Sequence, residues 1–197
     1  MDEKKTGKKR FFSFASKVRG RISERGLGEK VKREGQKSKN FLLAFVVSYL
    51  VISLLFKLVP IELFELAVAQ ATTIYLNFRG IDTLLVIQEP VLIITGNGVK
   101  ILISELCTGL LELTVLWSSI IASLGIPARD RLFGVVAGLF ATQFFNLARI
   151  FITIEFILGA DMATVDFVHN ILFRATLIAV IVGIYTIWFM GATRKQA

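Results

Sequence analysis

The chain has 197 residues, 54% of them hydrophobic, with a mean hydropathy of +0.68 and a formal net charge of +8. Such a composition excludes an ordinary soluble domain of this size, and the apolar runs are long enough to cross hydrocarbon, so an integral membrane protein is expected. A single cysteine and a single histidine exclude an internal disulfide and a tetrahedral Cys/His zinc centre, and no metal or cofactor is expected.

Residues 1–40 hold 14 Lys/Arg against 5 Asp/Glu and contain no apolar run. They read as a basic cytoplasmic tail, solvated and attracted to anionic lipids. No base-reading fold accompanies the charge, so nucleic acid is not an expected partner. Residues 41–59 form the first span, a retained anchor, because the basic flank is too long and the apolar run too extended for a cleaved signal peptide. Residues 60–106 are placed outside the membrane. Within them Ile61 to Phe78 is apolar but carries Glu62 and Glu65 in its first turns, which suits a helix lying in the interface. Residues 91–103 are rich in β-branched side chains on both sides of Asn97-Gly98 and are expected to form a β-hairpin, since Asn and Gly accept the positive φ of a tight turn. An open hairpin cannot leave its edges unpaired in lipid.

Three further spans are expected at residues 107–126, 132–158 and 170–190. The fold class is therefore an all-α polytopic membrane protein: a tail (1–40), then a membrane domain (41–197) of about four transmembrane helices with an interfacial helix and a short hairpin. The loop Pro127-Ala128-Arg129-Asp130-Arg131 and the tail Thr193-Arg194-Lys195 are basic, whereas residues 159–168 contain no Lys or Arg and carry Asp161 and Asp166. Short basic loops stay cytoplasmic. Both termini are thus expected inside the cell membrane, with Cys107 facing out. Gly134 and Gly138 make a small-xxx-small pair that serves contacts within or between chains.

Three polar residues stand out against this background. Cys107 opens one span and reads either as a small buried hydrophobe or as a nucleophile at a helix N-terminus, where the macrodipole and free N–H groups favour a thiolate. Arg149 lies inside an apolar run, where burial in hydrocarbon costs at least about 2.5 kcal/mol. Gln143, Asn146 and Arg149 recur at spacing three and are expected to share a face. A structural ion pair of Arg149 with Glu112 or Glu155 is the alternative. His169 opens the last span, either as an interfacial polar residue or as a proton carrier with a near-neutral pKa, with Asp166 three residues earlier able to orient the ring. Arg174 is a second intramembrane arginine and a rival or partner for Arg149.

Cys107-Thr108-Gly109-Leu110, Asn146-Leu147-Ala148-Arg149-Ile150 and His169 after a Gly-containing loop resemble, in order and spacing, the boxes of the exosortase and archaeosortase family. The resemblance covers about Thr83 to Met190. Thr108 stands where Ser is common in the bacterial branch, which leans towards the archaeal one, and many family members carry more helices ahead of this region. The resemblance implies a membrane cysteine transpeptidase with Cys107, Arg149 and His169 as its catalytic set, supported by Thr108, Gly109, Asn146, Glu112, Asp166 and Arg174. It also implies as partners secreted proteins that end in a short motif, a transmembrane helix and a basic cluster, with a membrane lipid as one acceptor.

Two other classes compete. A small transporter or channel-like protein predicts Arg149, Arg174, Glu112 and Glu155 spread along a polar path. An intramembrane serine protease using Ser118 or Ser119 with His169 requires a serine about 16 Å deeper than the thiol, at the wrong level for His169, and no Gly-x-Ser-x-Gly elbow is present.

Overall fold

The computed structural model describes residues 35–159 and 173–194, the side chains of 173 and 174 apart. The backbone divides into two units, residues 1–43 and 44–197. Of the first, the described part is the opening of helix α1 (Gly35–Lys57), where Gln36 Nε2 donates to Asn40 Oδ1 one turn later. The second holds α2 (Ile61–Phe78), strands β1 (Thr83–Val86), β2 (Val91–Thr95) and β3 (Lys100–Ile103), a 3-10 turn (Glu105–Cys107), α3 (Leu110–Ala122), α4 (Ala128–Gly159) and α5 (Phe173–Arg194). Three of these helices are long and apolar enough to cross a membrane, Gly35–Lys57, Ala128–Gly159 and Ala175–Arg194.

The expected span at 107–126 is corrected. Helix α3 is only 13 residues long, about 20 Å at helical rise against a hydrocarbon core of about 30 Å. Hydropathy continues past both of its ends while helical backbone does not. Gly109 precedes it at φ +72°, a left-handed conformation. After Ala122 the chain turns through Ser123–Ile126, with the Ile126 N–H on the Ser123 carbonyl at 3.0 Å, and Pro127 ends the turn. The three long apolar helices fall where the other spans were expected, at 41–59, 132–158 and 170–190, and α1 starts six residues before the first of these.

Helix α4 organises the rest through its buried residues Gly134, Gly138, Thr142, Asn146, Ile150 and Ile154, one every four positions. Such a row faces one direction with slow drift, so it reads as a single packing ridge. Its small half admits close neighbours: a Cβ on Gly134 would lie 2.3 Å from Trp188 Nε1, and one on Gly138 would lie 2.9 Å from Leu116 Cδ2. Both glycines of the small-xxx-small pair therefore serve contacts within the chain. Trp188 Nε1 donates to the Asp130 carbonyl at 3.0 Å and Trp117 Nε1 to the Val135 carbonyl at 2.9 Å, pinning α5 and α3 to the first turns of α4.

The large half of the ridge enters a different core. Ile150 and Ile154 pack with Val68, Ala69 and Leu76 of α2 and with Val91, Ile93, Ile101 and Ile103 of the sheet. The sheet has the order β1-β2-β3, antiparallel throughout, with Leu85 opposite Ile93 and Ile93 opposite Ile101. The expected hairpin at 91–103 is present. Its positive φ falls on Gly98 (+80°) and not on Asn97, and the Thr95 N–H closes the loop on the Val99 carbonyl at 3.0 Å. Strand β1 was not foreseen. Helix α2, expected at 61–78, spans those residues and packs on the sheet with Val68, Ala69 and Leu76.

Candidate functional site

The cysteine loop hangs between the end of β3 and the start of α3. Ser104 continues the extended backbone of β3 (φ −101°, ψ 174°), then its carbonyl accepts the Cys107 N–H at 2.8 Å to open the 3-10 turn. Cys107 is half-buried and closes that turn. The thiol therefore precedes α3 and does not sit at the helix N-terminus itself, which corrects the expectation that the span begins at Cys107. Thr108 is 1% exposed and its Oγ1 donates to the Glu105 carbonyl at 2.6 Å, fastening the turn from within.

Two residues of α4 hold the loop from the other side. Asn146, 1% exposed, donates through Nδ2 to the Cys107 carbonyl at 2.8 Å. Arg149 donates through Nη2 to the Leu106 carbonyl at 3.2 Å. Residues 39 and 43 positions apart in sequence thus meet at consecutive peptide groups. Gly109 completes the fit, because a Cβ there would lie 3.0 Å from Asn146 Cγ and 3.1 Å from Nδ2. Among the described residues no donor reaches the buried Asn146 Oδ1. An unsatisfied acceptor of this kind costs about 1–3 kcal/mol, a cost the loop bears while the amide N–H stays on Cys107.

Arg149 is half-buried, and no carboxylate pairs with it among the described residues. The structural alternative with Glu155 does not hold, since that carboxylate accepts from Arg79 Nη1 and from the Tyr75 hydroxyl, the latter at 2.5 Å. Tyr75 also stacks on Phe151 with ring centroids 4.2 Å apart. Its hydroxyl is pushed above the usual tyrosine range, first by the hydrogen bond to Glu155 and then by burial. Glu112, in the first turn of α3, is half-buried and makes no ion pair with Arg149. Gln143 is half-buried, and of the expected spacing-three face only Asn146 belongs to the buried four-residue ridge, with Gln143 and Arg149 half-buried on either side.

His169 and Asp166 lie outside the described residues. Arg174 stands in the first turn of α5, its side chain likewise outside them. Sequence reasoning missed Ser104, whose Oγ lies 3.9 Å from Cys107 Sγ. The signal was a serine three residues before the thiol, the spacing of one 3-10 turn. It also missed the Tyr75–Arg79–Glu155 network, of which only the four-residue step from Tyr75 to Arg79 is local. Comparisons with family models, curated proteins and solved structures return no match to this chain.

Proposed function

We propose that the chain is a membrane-embedded cysteine transpeptidase of exosortase and archaeosortase type, acting on the C-terminal region of secreted proteins. The observation that supports this most is the docking of the Asn146–Arg149 box onto the carbonyls of Leu106 and Cys107. Two segments singled out for chemistry, far apart in sequence, meet at consecutive peptide groups, which supports reading them as one site. Between Leu132 and Ala148 the α4 sequence contains no Asp, Glu, Lys or Arg, so its charges gather towards the ends, which favours a site over a polar path through the membrane.

At 1.5 Å per residue Arg149 stands about 31 Å along α4 from Ala128, close to the thickness of a hydrocarbon core. With the Arg129 and Arg131 loop cytoplasmic, the cysteine loop lies at the outer boundary and the sheet lies beyond it. In this reading the Cys107 thiolate attacks a peptide carbonyl, forming the S–C bond. Collapse breaks the C–N bond, and the leaving amine takes a proton from His169. An acceptor amine, hydroxyl or water then gives its proton back to His169, attacks the thioester and expels the thiolate. Arg149 carries further donors beyond the one on Leu106, and these stabilise the thiolate or the oxyanion. A lipid of the same membrane is one acceptor class.

Cys107→Ala tests the reading in cells. Comparison of the C-termini of surface proteins is expected to show at least one secreted protein that retains its apolar helix and basic cluster in the variant and loses them in the wild type. Identical C-termini, with the variant inserted at normal levels, overturn the reading.

A further inference from the structure

Strand β3 is an edge of the sheet, and its register determines which backbone groups are open. Gly96 N–H bonds to the Asp82 carbonyl at 2.7 Å, and Thr95 N–H to the Val99 carbonyl at 3.0 Å. Hydrogen-bonding direction alternates along an antiparallel strand. With Ile93 opposite Ile101 and Val91 opposite Ile103, the groups of Ile101 and Ile103 point at β2, and those of Lys100 and Leu102 point away from the sheet. Side chains follow the same period: Ile101 and Ile103 are buried, while Lys100 and Leu102 are exposed, Leu102 at 55%. Among the described residues nothing pairs with that outer edge.

Open edges are commonly blunted by a charge or by shortness, and Lys100 and a four-residue strand do both in part. Two observations take this edge further. Its extended backbone continues through Ser104, and the thiol of Cys107 stands 3.9 Å from Ser104 Oγ, at the end of the strand. Leu106, 68% exposed, adds an apolar contact beside the thiol. An unpaired strand that runs into a nucleophile matches the way extended peptides are bound, with main-chain bonds for affinity and alternate side chains for selection.

We propose that the open edge of β3 is the substrate-docking strand, taking an extended peptide segment onto the backbone groups of Lys100 and Leu102 and leading its carbonyl to Cys107. This rests on the reading of Cys107 as the nucleophile. The partner is an unfolded peptide stretch, since a folded helix has no free backbone groups to offer.

The probe is an N-acetyl tetra-alanine vinyl sulfone, compared with methyl vinyl sulfone and iodoacetamide on the full chain in detergent. The thiolate adds to the terminal vinyl carbon, the C=C pair moves to the carbon next to the sulfone, and that carbon takes a proton from solvent. Because Cys107 is the only cysteine, intact mass reads the rate directly. The peptidyl reagent is expected to label Cys107 at least about 10-fold faster than methyl vinyl sulfone, the size of one lost backbone hydrogen bond or more. N-methylation of the peptide should abolish the advantage at alternate residues only. Leu102→Pro, which removes an outward N–H, should abolish it too, whereas Thr83→Pro at the opposite edge should not. Iodoacetamide should label all three proteins at similar rates, which verifies the fold. No peptide advantage, or an advantage insensitive to Leu102→Pro and to methylation position, overturns the docking proposal and leaves Cys107 chemistry standing. Normal processing of secreted proteins by Cys107→Ala would instead remove the reading beneath it.

Discussion

Gly109→Ala separates two costs that the structure superimposes at one position. The first is conformational: φ +72° costs an L-residue about 1–2 kcal/mol. The second is steric, because the new Cβ meets Asn146 Cγ at 3.0 Å, Nδ2 at 3.1 Å and Cβ at 3.3 Å. Asn146 is buried and bonded to the Cys107 carbonyl, so it can yield only by loosening that bond. Overpacking of this kind costs about 1–3 kcal/mol, for a total of about 2–5 kcal/mol. Gly98→Ala supplies the control, since Gly98 has φ +80° but nothing within 4 Å of an added methyl group, and should lose only about 1–2 kcal/mol. Unfolding in dodecylmaltoside micelles titrated with SDS, followed by Trp fluorescence, measures both. In an Asn146→Ala background most of the excess at Gly109 should vanish, because only the 3.3 Å contact with Cβ remains, a coupling that a double-mutant cycle reads directly. Equal losses for the two glycines, or an excess unchanged by Asn146→Ala, refute the contact as the constraint on the loop.

Arg149→Lys is expected to insert at near-normal levels and to lose turnover by a factor on the order of 10², as when an oxyanion donor is removed, because an ammonium cannot hold Leu106 and still present a fork of donors. His169→Ala should lose activity similarly, and near-wild-type kinetics for Arg149→Lys would make Arg174 the candidate. Glu89 is held above the usual glutamate range by its hydrogen bond with Glu62, then by that residue's charge, burial and the charge of Glu65. The folded chain thus binds this proton more tightly than the unfolded one, so its contribution to stability is present at low pH and is lost as pH rises through the raised value. Glu89→Gln should flatten that slope and raise the unfolding midpoint at neutral pH, and an unchanged pH profile would show that the carboxyl pair contributes nothing.

What the sequence revealed was mostly local. The Asn97-Gly98 turn lies between its own strands, and Glu62 and Glu65 mark α2 as distinct from the apolar spans, so both elements were found at the expected residues. Strand β1 was missed because four residues carry too little periodicity, and its identity comes from pairing with Leu92–Thr95. The length of α3 was misread because hydropathy does not distinguish helix from apolar turn, while Gly109 and Pro127 do. Asn146 and Arg149 stood out in the sequence as polar residues in an apolar run, but the groups they bond are carbonyls, which leave no trace in the sequence. Glu155 seemed available to Arg149 because its partner Arg79 is 76 residues away.

The central claim is a covalent thioester on Cys107, and hydroxylamine reads it directly. Membranes holding the protein and its native secreted partners, treated with hydroxylamine, should release partner chains ending in a hydroxamate at the cleavage point. Those chains should be absent with Cys107→Ala. Hydroxamate-ended chains that persist without the thiol, or wild-type cleavage that never yields them, would contradict the account.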